Sequence, residues 1–527
     1  MYLVNRWRRL SNILGIFFTL IALVSFIASI VFFALDNSYY QVFGFCLLFP
    51  SLTLNYLITL FLSLELINSK HREDLFINFY LFIFLMFPFV GIFFYFLLGF
   101  DSIHKDHGDR YTDIYLRYKR YEISSLELEI DKRDSKFKTF AYNFFKHKAP
   151  VYKNTGICLL DNSYATIKEI TSLISNAKSF VHMEFYIFSE GLIFDHIFEL
   201  FKKKIKEGVE IRLIVDYVGN YWRLSRKAIK KLKSIGVQVR VFNPLFKSNN
   251  LWWQFRNHNK ILVVDNQYAL FGSCNIADEY FNITDKYFQT TELSAKLYGS
   301  IVNSVSALFL AHWDLSNKKK NRNIPEFDGE KCKSYFSRLH LEQEENASYS
   351  QFLDNSPISN EFIIKDNLMQ LIFNAQKSIV ISTPYFFPPK EIVNALKQAK
   401  AIGVSVKILV PKDPDLTGFF KAMNRQLFSI LLDQDIEIYE YFGFNHEKVM
   451  IIDDEIVYFG SYNWDYRSLY LNFENALLVR SEKVSAVMSD FMNRQFANSK
   501  QINRSDLKKS VNTPFKNSFI RLFKPFL

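Results

Sequence analysis

The chain is poor in cysteine. Only Cys46, Cys158, Cys274 and Cys332 occur among 527 residues, and no two stand close enough for a C-x-x-C pair. That spacing excludes a dense disulfide framework and the zinc sites built on paired thiolates. Ten histidines are scattered along the chain. His104 and His107 are neighbours, but they sit in a charged stretch with no further ligand in step, so neither a metal centre nor a cofactor is expected. Charge is also missing from one region: the first hundred residues carry little of it, and the rest of the chain holds nearly all. The net balance is +11, which favours an anionic partner, either lipid surface or nucleic acid, without choosing between them. A lysine-rich coding bias would produce part of the same excess. The length corresponds to about three domains.

The charge-poor region contains three apolar runs, Asn12 to Leu35, Val42 to Ile67 and Leu75 to Phe100. Each is longer than the ~20 residues that cross a hydrocarbon core. The first is too long for the apolar part of a signal peptide and lacks a small-x-small cleavage site, so an anchor is expected. The second carries Asn55 and Glu65 and is the weakest span, open to a re-entrant or interfacial arrangement. Residues 1–100 therefore read as a transmembrane region of two to three helices, followed by a linker over 101–155. Orientation is undetermined. Arg6, Arg8, Arg9, Lys70 and Arg72 pull one way, and Lys105, Arg110, Arg117, Lys119 and Arg120 pull the other.

From about Gly156 the sequence alternates helical and strand patterns, as an α/β fold does, and the same units occur twice. Lys178-Ser179-Phe180 and Lys377-Ser378-Ile379 each lead into an apolar strand. Gly208-Val209 and Gly403-Val404 open a second strand, and Val237 to Phe242 and Ile436 to Tyr441 form an alternating third. Domains over 156–320 and 361–500 follow, with a polar linker at 321–360 and a basic tail at 501–527. In that tail Phe515, Phe519, Phe523 and Phe526 fall near helical spacing with Lys516, Arg521 and Lys524 between them. Such a segment suits an interfacial helix on anionic lipid, or equally one packed on the preceding domain.

Each half carries one further segment. The first reads His258-Asn259-Lys260, then Asp265, then Gly272-Ser273-Cys274-Asn275. The second reads His446-Glu447-Lys448, then Asp453, then Gly460-Ser461-Tyr462-Asn463. The six shared positions are all offset by 188 residues. Chance accounts for one His-x-Lys but not for two with identical spacing at equivalent places of a duplicated domain. On a strand, residues two apart face the same way, so each His and Lys project together. Transfer of a phosphodiester group needs a nucleophile, a proton donor for the leaving alkoxide, and fixed donors around the phosphate oxygens. One copy supplies one imidazole and one ammonium. Two copies facing each other supply the whole set.

These segments match the H-x-K-x4-D-x6-G-S-x-N signature of the phospholipase D superfamily. Asp465-Tyr466-Arg467-Ser468-Leu469 and Leu471-Asn472-Phe473-Glu474 resemble the D-x-R-S and L-N-F-E segments of bacterial cardiolipin synthases. Asn275-Ile276-Ala277-Asp278-Glu279-Tyr280 resembles the extension of their first motif, and Pro88, Gly91, Tyr95 and Gly99 resemble a membrane segment of the same family. The resemblance implies two pseudo-twofold-related α/β/α domains behind the transmembrane region, with candidate catalytic residues His258, Lys260, Asp265, His446, Lys448 and Asp453. His258 would be the nucleophile and His446 the acid and base, or the reverse. Lys260, Lys448, Ser273, Asn275, Ser461 and Asn463 would face the phosphate. Asp265 and Asp453 would serve the backbone, and Glu474 would fix a histidine tautomer. One departure is visible: where the family carries a carboxylate after its first motif, Thr290 stands. Glu292, two residues on and facing the same way on a strand, is the candidate substitute.

The implied reaction is phosphatidyl transfer between two phosphatidylglycerol molecules, giving cardiolipin and glycerol at a bacterial cell membrane crossed more than once. Phosphatidylglycerol and other anionic phospholipids are the expected partners, and nucleic acid is not. A membrane-anchored phospholipase D hydrolase, or a nuclease of the same superfamily, is the alternative. A non-catalytic lipid tether would have no use for paired imidazoles.

Overall fold

The computed structural model describes residues 17–35 in part, 38–68, 74–98, 102–122, 137–153, 155–244, 255–317, 332–336, 348–359, 361–412 and 418–507. The aromatic tail from Phe515 to Phe526 and much of both linkers lie outside the described residues. The chain forms two compact units.

The first unit is helical: α1 (Leu23–Ala34), α2 (Ser38–Ile67), α3 (Asp74–Met86) and α4 (Pro88–Leu98). At 30 residues α2 is about 45 Å long. Among the described residues it is the one helix long and apolar enough to cross a membrane. Its buried face runs through Gly44, Ser51, Asn55 and Thr59, the small and polar face by which helices meet in lipid. A Cβ added at Gly44 would lie 2.7 Å from the Ser29 carbonyl oxygen of α1. Asn55 therefore turns inward, and the run expected to be the weakest is the long helix.

The third run corrects the expectation of a single span. Pro88 has no N–H to continue the helical ladder, and the chain reverses there. The rings of Tyr80 and Tyr95 lie 5.6 Å apart, whereas an unbroken helix would separate those residues by roughly 22 Å. Gly91 makes the reversal possible, since a Cβ at that position would meet the Phe84 ring at 2.8 Å. The resulting helices, 13 and 11 residues long, reach about 20 and 16 Å, short of the ~30 Å core. They pack on the end of α2 through Leu62 and Leu66. Three crossings are thus not found among the described residues.

The second unit contains the duplication. Its first sheet runs, from edge to edge, Gly156–Leu160, Ser294–Tyr298, Tyr268–Gly272, Lys260–Val264, Phe180–Phe185, Glu210–Asp216 and Gln238–Phe242. The second repeats that order with Tyr349–Asn355, Asn472–Arg480, Ile456–Gly460, Val449–Ile452, Ser378–Ser382, Ser405–Pro411 and Glu437–Tyr441, and adds a short strand at each edge. The senses agree as well: in each sheet the last two of these pairings are parallel and the others antiparallel. Lys260–Val264 and Val449–Ile452 are buried along their whole lengths, as central strands covered on both faces must be.

The signature aspartates explain the spacing that follows each lysine. Asp265 and Asn266 both have positive φ, as do Asp453 and Asp454. The Gln267 N–H returns to the Val264 carbonyl and the Glu455 N–H to the Ile452 carbonyl, both at 3.0 Å, so each three-residue loop holds a tight turn with two left-handed central residues. The side chain of Asp265 accepts the N–H groups of Lys178, Ser179 and Phe180 at 2.7–2.8 Å. Asp453 does the same for Gln376, Lys377 and Ser378. Each aspartate therefore closes one hairpin and anchors the start of the neighbouring strand.

Candidate active site

Two short parallel bridges join the halves. Arg256–Asn257 pairs with Asn472 and Phe473, and Phe444–Asn445 pairs with Thr290 and Thr291. Each bridge runs directly into a signature histidine on one side and a glutamate on the other. The His258 N–H donates to the Phe473 carbonyl and the His446 N–H to the Thr291 carbonyl, both at 2.9 Å. The register therefore sets His258 beside Glu474 and His446 beside Glu292. His258 Nδ1 lies 2.9 Å from Glu474, and His446 Nδ1 lies 2.7 Å from Glu292. Each imidazole is held by a carboxylate from the opposite half.

The motif glycines let the carboxylate strands come close. A Cβ at Gly272 would fall 2.3 Å from the Leu293 oxygen, and one at Gly460 would fall 2.1 Å from the Asn475 oxygen. The following serines then bond the glutamates. Ser461 Oγ donates to Glu474 at 2.6 Å, and Ser273 Oγ donates to Glu292. Both hydroxyls, expected at the phosphate, are engaged in orienting carboxylates. Glu292 occupies the position in its half that Glu474 holds in the other, directly after the bridge, so the register and not the missing carboxylate at Thr290 defines the equivalence.

All of these groups are buried. Lys260 Nζ donates to the His258 carbonyl at 2.6 Å and Lys448 Nζ to that of His446. Burial holds Lys260 well below the usual lysine range and pulls Lys448 down to about 8. His258 is lowered to about 4 by burial, against the pull of Glu474. Burial also lowers His446, with Lys448, Lys260 and His258 adding to it. The two halves thus act on each other's histidines within one electrostatic environment, and both imidazoles rest neutral. The carboxylates differ. Burial works to raise Glu474, but His258, Lys260 and the Ser461 hydroxyl outweigh it and its net direction is down. Burial raises Glu292 to about 8. Glu474 also accepts from Asn472 Nδ2 at 3.2 Å. At the equivalent position Thr290 turns its hydroxyl to the Glu279 carbonyl.

Asn275 Oδ1 accepts from the Ile187 N–H at 3.3 Å. The Oδ1 of Asn463 is buried with no hydrogen-bond partner. Sequence reasoning passed over Asn257 and Asn445, which precede the two histidines at the same 188-residue offset; the repeat itself was the available signal. It also passed over Glu184, which accepts from Asn257 and Asn259 and bonds His312 at 2.6 Å. No spacing marks Glu184, because Ser382 stands at its place in the second half. There the carboxylate is Glu447, which accepts from Ser382 at 2.7 Å.

The family described as "Cardiolipin synthase, PLD-like domain" matches residues 170–313 and 368–496, one stretch in each half. Cardiolipin synthase of Clostridium perfringens is 31% identical over 446 residues, covering 84% of this chain and 92% of that one. The corresponding protein of Alkalihalophilus pseudofirmus is 33% identical over 392 residues, covering 72% and 74%. Phosphatidylserine synthase of Haemophilus influenzae shares the fold, with a TM-score of 0.58 over 74% of this chain and 100% of that one at 15% identity.

Proposed function

The chain belongs to the cardiolipin synthase family of phospholipase D-like proteins, and from that premise we propose that it transfers a phosphatidyl group from one phosphatidylglycerol to another through a phosphohistidine, giving cardiolipin and glycerol. The protein is a membrane-associated phosphatidyltransferase. The observation that carries the finer reading is the crossed pairing of each imidazole with the carboxylate of the other half.

With Nδ1 of each ring bound to a glutamate, Nε2 is the nitrogen left for chemistry. His258 Nε2 attacks phosphorus, forming a P–N bond as the bond to the glycerol oxygen breaks. His446 gives that oxygen a proton. The hydroxyl of a second phosphatidylglycerol then yields its proton to His446 and attacks phosphorus, and the P–N bond breaks. Lys260 and Lys448 balance charge on the phosphate oxygens, with Asn275 and Asn463 as amide donors. Neutral His258 suits nucleophilic attack. Glu292, retaining a proton to about 8, supplies the second pair with a proton to give. The setting in this reading is the bacterial cell membrane, with α2 as the helix long and apolar enough to cross it.

Incubating the detergent-purified protein with phosphatidylglycerol alone tests this. Equal amounts of cardiolipin and glycerol are expected by mass spectrometry. Phosphatidic acid as sole product would instead make the protein a hydrolase, and cleavage of DNA with no lipid turnover would make it a nuclease.

A further inference from the structure

Two loops near the catalytic pairs carry aromatic side chains that stand exposed among the described residues. After strand Glu210–Asp216, residues 217–224 form a turn in which Trp222 is 91% exposed and Tyr221 52%. The second loop, between the first motif and Glu292, leaves Phe288 84% exposed and Ile283 41%. Single exposed apolar residues are ordinary; an almost naked tryptophan and an almost naked phenylalanine on two loops joined by an ion pair are not.

Neither loop is loosely built. Asn220 accepts from the Phe188 N–H and donates to the Tyr186 carbonyl, and Arg223 pairs with Glu279. Glu279 also pairs with Lys286 at 3.5 Å, so one carboxylate ties the two loops together. Phe288 has φ 64° and ψ −73°, and the Gln289 N–H reaches back to the Tyr287 carbonyl at 2.8 Å. This is a strained three-residue turn that a bulky residue rarely adopts, and its product is a phenyl ring held in water. Both loops connect to the catalytic pairs. The first holds the Tyr186 carbonyl through Asn220, and the Tyr186 ring meets His258 at 4.8 Å; the second carries Tyr280, whose ring meets His446 at 5.0 Å. Exposed Arg226, Lys227 and Lys286 flank the aromatics.

We propose that Tyr221, Trp222, Ile283 and Phe288 insert into the headgroup region of an anionic bilayer, seating the mouth of the site on the lipid surface from which its substrate enters. The inference rests on the lipid-transfer reading above. Trp and Tyr favour the interface because one ring offers an apolar body and a polar edge. The neighbouring cations favour anionic headgroups. A soluble protein partner would not account for a rim wired to both histidine pairs.

The test uses the full chain in phosphatidylcholine discs doped with long-chain phosphatidylglycerol, or supplied with short-chain phosphatidylglycerol dispersed as monomers. Trp222→Ser combined with Phe288→Ser is expected to raise the half-saturating mole fraction of the long-chain lipid roughly tenfold, with the rate on the monomeric lipid unchanged. An unaltered mole-fraction dependence, or equal losses on both substrates, overturns the proposal. A second readout is independent of turnover. With exposed Cys46 and Cys158 changed to Ser, a nitroxide on Trp222→Cys should be accessible to oxygen and shielded from a water-soluble nickel chelate in anionic vesicles. Full chelate access overturns the docking even if cardiolipin is made. A shielded nitroxide with no cardiolipin from either substrate supports docking and sinks the functional reading.

Discussion

The two halves of the catalytic unit share strand order, hairpins, bridges and signature, yet they are not interchangeable. In one pair His258 faces Glu474, whose carboxylate gathers donors from Ser461 and Asn472. In the other His446 faces Glu292, which has the serine but a threonine where the asparagine would stand. The two carboxylates shift in opposite directions: burial raises Glu292, with the Glu447 charge adding to it, whereas His258, Lys260 and the Ser461 hydroxyl outweigh burial at Glu474. A further donor acts in the same direction at Glu474, since it favours the ionised form. In the proposed transfer, duplication supplies two imidazoles for one phosphorus atom, and the unlike surroundings of their carboxylates give them different protonation tasks. The backs of the pairs differ in the same way, with the carboxylate on Glu184 in one half and on Glu447 in the other.

The largest expected effect breaks the comparison outright. His446→Asn should slow glycerol release by about a thousandfold, the scale of lost general acid catalysis. A phosphatidyl donor with a nitrophenol leaving group, which needs no proton, should recover most of that rate. His258→Asn should lose both substrates alike. Pre-steady-state release of the leaving group from the two donors separates these outcomes, because His446 also serves the second alcohol.

The aspartates bear on the symmetric part of the comparison. Asp265→Asn and Asp453→Asn keep the turn but weaken three backbone bonds each, at a cost of about 1–2 kcal/mol for these partly solvated groups. Thermal melting should fall by a few degrees in both, with turnover at low temperature within about twofold of the parent. A large loss of turnover with unchanged melting would return the aspartates to the chemistry.

Glu184→Gln removes the charge behind Asn257 and Asn259, and a loss of roughly tenfold in turnover is expected, carried by kcat. Smallest and sharpest is Thr290→Asn, which gives Glu292 the donor that Glu474 has. Glu292 holds its proton below about 8, so the first transfer should decline as pH rises through that value. The variant should move that decline about one pH unit lower, and an unmoved pH profile would remove the asparagine–threonine difference from the account.

Much of this was legible before the fold was known. The 188-residue offset reported the duplication, and the apolar runs reported the membrane region. The crossed pairing was not legible, because it depends on two bridges two residues long that join distant segments. Glu292 was visible as a candidate through strand alternation, whereas its partner was not. Counting apolar residues misjudged the third run, where Pro88 stops the ladder and Gly91 admits the returning helix. The same count undervalued Asn55, whose polar side chain turns into a helix contact that composition does not reveal.

The central claim is that one histidine bonds to phosphorus while the other moves the proton. Rapid quenching into alkali, with phosphatidylglycerol labelled in its bridging phosphate, should trap an acid-labile, alkali-stable phosphatidyl adduct. The account predicts that the labelled peptide contains His258 and that His446→Asn increases its yield from the nitrophenol donor, by slowing attack of the second alcohol. Label on the peptide containing His446, or cardiolipin formed at full rate with no labelled histidine at any time point, would contradict it.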